Sequence, residues 1–119
     1  MAEPNDPSQD FYDEDFIKIQ QEYIDSIPGK LKNIEKLVNE LRHEITEESL
    51  QEINRIVHRM AGSAGAYGFM QVTEICRKFD LELIQKIRVF KESGGQESWI
   101  ANFDDYLKKI KQGFSINNS

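Results

Sequence analysis

Apolar residues recur every three or four positions along nearly the whole chain, the period at which side chains return to one face of an α-helix. Period-two alternation is never sustained, and no Asn-Gly or Asp-Gly hairpin pair occurs, so nothing reads as a strand. A chain patterned this way can bury its apolar faces only by packing helix on helix.

Five such stripes are legible. The first, over about residues 11 to 26, offers Tyr12, Phe16, Ile19 and Tyr23. "SIPGK" interrupts it, because Pro28 lacks an N–H and suits the first turn of a new helix. The second stripe is Leu31, Ile34, Val38, Leu41 and Ile45. Thr46 is placed to cap a third helix, with Glu47 and Glu48 in the first turn where the dipole favours acids. That helix carries Leu50, Ile53, Val57, Met60 and Ala64. A fourth begins near Phe69 and carries Val72, Cys76, Phe79, Leu83, Ile87 and Phe90. "ESGGQES" ends it, with glycines free to take positive φ. The last carries Trp99, Phe103, Leu107, Ile110 and Phe114.

The expected fold is all-α: an antiparallel up-down four-helix bundle built from the last four stripes, with an additional N-terminal helix packed across it. The bundle occupies residues 11–114, between polar tails at 1–10 and 115–119 expected to fray. A length of 119 residues suits one domain with a modest core, acting as a monomer.

Charge and cysteine usage narrow the function. The net charge of −6 argues against binding a phosphate backbone, so nucleic acid is not an expected partner. No apolar run is long enough for a bilayer, and no basic amphipathic stretch suggests a membrane surface. The opening "MAEPNDPSQD" is acidic and lacks an apolar h-region, so no signal peptide is expected. One cysteine allows no internal disulfide, which fits a reducing, cytoplasmic setting.

The chemistry concentrates in "NRIVHRMAGSAGAYGF", residues 54 to 69. His58 follows Val57 directly and so lies on the shoulder of the core stripe. Asn54, Arg55, Ala61 and Gly62 are its neighbours at three and four residues. A glycine inside a helix costs about 1 kcal/mol relative to alanine, so Gly62 needs a reason. Two fit: a bare patch that lets a bulky group reach the imidazole, or a close approach between helices. Gly62, Gly65 and Gly68 are spaced three apart, which is neither a dinucleotide fingerprint nor a Walker A loop, and no strand precedes them. His43, His58 and Cys76 fall on different helices, so no metal site is expected. Cys76 fits the core stripe, His43 a helix end, and Ser63 has no catalytic partner.

"HRMAGSAGAYGF", with "CRKFD" beginning at Cys76, resembles the signature of histidine-containing phosphotransfer (HPt) domains of two-component phosphorelays. The resemblance is tightest over the third and fourth helices, and helix count and length extend it over nearly the whole chain. It implies that His58 is phosphorylated, at Nε2, that Gly62 clears space beside it, and that Gly65 and Gly68 shape the turn. Asp80 falls where the family commonly has Glu or Gln, and two readings of it stand equally: an acid that orients the ring or a water, or a solvated surface acid. The chain departs at Ala61, where the family commonly has a lysine that steadies the phosphoryl oxygens by a charge-assisted contact. Arg55, Arg59, Arg77 and Lys78 are candidate substitutes, and Arg55, one turn before His58, is the first choice.

The resemblance also implies the partners. The chain would take phosphate from a receiver-domain aspartate, in a response regulator or a hybrid sensor histidine kinase, and pass it to another receiver. It would have no kinase activity and no intrinsic cofactor, Mg²⁺ being supplied by the receiver. A docking surface around His58 would include Ala61, Gly62, Ser63 and exposed parts of the first helix. The rival reading is a non-phosphorylated helical module that binds a receiver or other signalling partner, to which Ala61 lends weight.

Overall fold

The computed structural model describes the backbone of residues 7–115 and the side chains of residues 14–115; the expected tail residues 1–6 and 116–119, and the side chain of Tyr12, lie outside the described residues. The described residues form four helices and no strand: α1 Pro7–His43, α2 Glu47–Ala66, α3 Met70–Ser93 and α4 Ser98–Phe114. α1 and α3 each pack against both α2 and α4, which closes a ring of four around one core. Ile27, Ile34, Leu50, Ile53, Val57, Phe79, Leu83, Phe103 and Ile110 fill it. Ile45, Ile87 and Phe90, at stripe ends, are only partly buried, and Ile19 is exposed.

Four helices replace the expected five, because Pro28 does not end a helix. It lies inside α1. The physical reason is a contest of magnitudes. Proline in a helix interior costs roughly 3 kcal/mol through a missing hydrogen bond and a ring clash. Tyr23, Ile27, Leu31, Ile34, Val38 and Leu41 form one unbroken buried stripe on both sides of it. Each such side chain contributes about 1.5–3 kcal/mol on burial, so the stripe outweighs the proline. Pro28 itself is exposed, and the Ser26 hydroxyl donates to the Tyr23 carbonyl at 2.6 Å just before it. Pro28→Ala is therefore expected to stabilise the protein by about 1–3 kcal/mol, read as a higher urea midpoint with an unchanged slope. A lower midpoint would mean that the proline is favourable where it stands.

The expected separate N-terminal helix is the first half of α1, which already includes residues 7–10. With 37 residues, α1 is about 55 Å long, nearly twice α2. Its excess length covers the α2–α3 connection. Tyr23 stacks on Tyr67 at 4.5 Å, Phe16 stacks on Tyr67 at 6.4 Å, and the Gln20 side-chain amide donates to the Tyr67 carbonyl at 2.6 Å.

The start of α2 and the end of α3 follow their sequence signals. The Thr46 hydroxyl accepts from the Ser49 N–H at 3.2 Å, with Glu47 and Glu48 in the first turn of α2. Gly94 ends α3 at φ +83, where a side chain would be strained. Between α2 and α3 the chain reverses at Gly68, φ +94, while the Phe69 N–H bonds the Ala64 carbonyl at 2.8 Å.

Candidate functional site

The buried residues decide where the site lies. Val57 and Phe79 are fully buried, so the next residue on each helix, His58 on α2 and Asp80 on α3, is turned to the helix edge. The two edges adjoin. His58 Nδ1 lies 3.0 Å from Asp80 Oδ2, and the Asn54 side-chain amide, one turn earlier on α2, donates to Asp80 Oδ1. The Asp80 side chain is 14% exposed and the His58 side chain 75%. A deprotonated carboxylate can only accept, so a neutral His58 ring carries its proton on Nδ1. Nε2 then carries the lone pair, and it forms no hydrogen bond among the described residues.

A second contact locks the register beneath. The Thr73 hydroxyl, buried on α3, donates to the Ala61 carbonyl of α2 at 2.9 Å. A Cβ on Gly65 would stand 2.9 Å from that same hydroxyl oxygen, closer than real contacts allow. Gly65 thus permits the close approach of α2 and α3, and the turn itself belongs to Gly68. Gly62 is the opposite case: nothing lies within 4 Å of a Cβ built there. The two explanations for a helical glycine divide between these positions, close packing at Gly65 and open space at Gly62, one turn past His58. Gly65→Ala is expected to cost about 1–3 kcal/mol by overpacking, read in the unfolding midpoint. Equal stability of the alanine variant would show that Thr73 moves aside freely.

Other expected neighbours are placed differently. Ala61 is 8% exposed and belongs to the core, so it offers no docking surface. Ser63 faces α1, where its hydroxyl is 2.8 Å from the Tyr23 hydroxyl. The Arg55 guanidinium is engaged by Glu52, an acid one turn back, rather than by His58. Arg59, Arg77 and Lys78 are exposed and form no salt bridge among the described residues; Arg77 lies one turn before Asp80 on α3. Cys76 is fully buried, and burial, with the nearby Asp80 charge, pushes its thiol up to about 12, which removes it as a nucleophile. Asn54 carries no sequence signal beyond standing at i−4 from His58, on the same helix face.

His58 is presented rather than enclosed. A groove of about 860 Å³ runs between residues such as Leu37, His43, Glu44 and Glu52, and a smaller one of about 230 Å³ lies between Lys30 and Arg59; His58 lines neither. No group of three or more His, Cys, Asp or Glu residues among the described residues is arranged to hold a metal ion. An exposed imidazole held through Nδ1 by Asp80, outside both of these grooves, suits reaction with a group that another protein brings.

The family model of the Hpt domain matches residues 18–113, a span that reaches into all four helices and contains the whole His58 site. The chain belongs to the Hpt domain family. Hpt domains carry out histidine phosphotransfer in two-component phosphorelays; they are phosphocarrier modules rather than kinases, and they interact with receiver domains and histidine kinases. No curated protein and no solved structure matches the chain. Among the described residues of this Hpt domain, no helix is long and apolar enough to cross a membrane.

Proposed function

We propose that this Hpt domain is a phosphorelay intermediate that accepts a phosphoryl group at Nε2 of His58 from a receiver-domain aspartate and passes it to a second receiver. The observation that carries the reading is the pairing of the exposed His58 ring, through Nδ1, with the carboxylate of Asp80. The Nε2 lone pair forms the N–P bond as the aspartyl P–O bond breaks and its electrons return to the receiver's carboxylate. The ring gains positive charge in that step. Asp80, held against Nδ1–H in a partly dry position, offsets that charge as it develops. The reverse step uses the same groups. Mg²⁺ resides in the receiver, and the domain brings no cofactor of its own. The proposal extends to an antiparallel up-down order of the helices, which their short connections favour, and to a cytoplasmic monomer.

Gly62 keeps the approach to the ring open. The cation that would steady the phosphoryl oxygens comes from elsewhere than position 61, because Ala61 is buried and uncharged. That same feature favours the second reading, a module that binds a receiver without taking phosphate. Incubation with a receiver phosphorylated on aspartate, followed by chemical characterisation of the label, separates them. The carrier acquires acid-labile, base-stable phosphate; the binding module forms a complex and stays unlabelled.

A further inference from the structure

We infer that Asn54 is a positioning residue for phosphoryl transfer, acting through Asp80 to set which nitrogen of His58 is the nucleophile. The inference rests on the carrier reading of His58 and goes beyond it to a residue that touches neither phosphate nor partner. Histidine free in water favours the tautomer with the proton on Nε2, the nitrogen that must attack. Attack through Nε2 therefore needs a fixed acceptor at Nδ1, so that the proton is moved there before the phosphoryl group arrives. Asp80 is that acceptor only while one of its oxygens is aimed at the ring.

An aspartate carboxylate turns freely about its Cβ–Cγ bond and does not aim itself. Here both oxygens are taken: Oδ2 by His58 Nδ1 and Oδ1 by the Asn54 amide. The two donors stand four residues apart on one face of α2, and the acceptor comes from α3, so the clamp also spans the helix pair. Among the described residues no lysine or arginine forms a salt bridge with Asp80, and its only ion-pair partner is His58. Asp80 is mostly buried above the fully buried Cys76, which leaves it little water to compensate for a missing donor. Removing the Asn54 amide frees the carboxylate to rotate, and the ring reverts toward the tautomer it has in water. In the transfer step itself no proton moves: Nδ1–H stays on the ring while the N–P bond forms and the aspartyl P–O bond breaks.

The test reads the ring without phosphate. Long-range proton–nitrogen correlation of His58, at a pH where the ring is neutral, should show the Nδ1–H tautomer dominant in the wild type. Asn54→Leu, which keeps the branching at Cγ with a somewhat larger volume and removes the donor, should shift the population toward Nε2–H and slow phosphoryl uptake from a phosphorylated receiver by about tenfold or more. Asn54→Ala gives the same reading if the leucine variant does not fold, and thermal unfolding of either variant reports any purely structural effect. A folded variant with the wild-type tautomer overturns the inference, as does a wild type already in the Nε2–H form. Because the tautomer is measured on the unphosphorylated chain, an Asn54-dependent tautomer in a protein that never takes phosphate would overturn the carrier reading, and the transfer role of Asn54 with it, while leaving Asn54's hold on the tautomer standing.

Discussion

His58→Gln should abolish phosphoryl uptake while leaving the fold intact. Glutamine matches histidine in reach and polarity but has no nucleophilic nitrogen, since its amide lone pair is delocalised. The His58 side chain is 75% exposed and contributes no core packing, so stability should change by no more than about 0.5 kcal/mol. The substitution removes the ring's hydrogen bond to Asp80 Oδ2, and the amide of glutamine remains able to donate in that direction. The measurement is a time course of label passing from a phosphorylated receiver, beside a thermal melt. Wild-type labelling of the variant would remove His58 from the site. A melt that collapses with the labelling would mean that the histidine is structural.

Gly62→Gln should have nearly as large an effect on transfer and the opposite sign on stability. Glutamine is a better helix former than glycine by roughly 0.5–1 kcal/mol, and nothing within 4 Å obstructs a new Cβ, so the variant should melt slightly higher than the wild type. The new side chain would project into the open space one turn past His58. A misplacement of about 1 Å in a transfer reaction can cost 10²-fold, and a whole side chain in the approach path should cost at least that. A lower melting temperature, or normal transfer in a stable variant, would refute the access role. The pairing of greater stability with abolished transfer is informative because a merely damaged fold cannot produce it.

How far the sequence reveals this molecule divides along physical lines. Apolar periodicity locates α2, α3 and α4 and most of their buried residues, because burial of a stripe is a local property of helical geometry. The Thr46 cap and the glycine end of α3 are legible for the same reason. Pro28 is not. Its local cost is real, but the stripe from Tyr23 to Leu41 runs through it, and tertiary burial overrides a single unfavourable residue. At the site, the angular position of His58 follows from its place beside Val57, but angle alone does not say which neighbouring helix each edge meets. Ser63 faces Tyr23 of α1, Ala61 lies in the core, and Arg55 is engaged by Glu52. Asp80 reaching His58, and Asn54 holding Asp80, depend on the register between α2 and α3. The Thr73 hydroxyl on the Ala61 carbonyl and the bare Gly65 fit that register, beside the buried residues of both helices. Nothing in the linear pattern specifies such a contact between helices.

The most direct test of the central claim is the chemical identity and location of the phosphate after transfer. Wild-type protein incubated with a phosphorylated receiver should show one phosphohistidine, substituted at Nε2, by phosphorus–proton correlation, and fragmentation should place it on His58. Phosphate on another residue, on Nδ1 of the ring, or nowhere on a folded chain that still binds the receiver, would contradict the account.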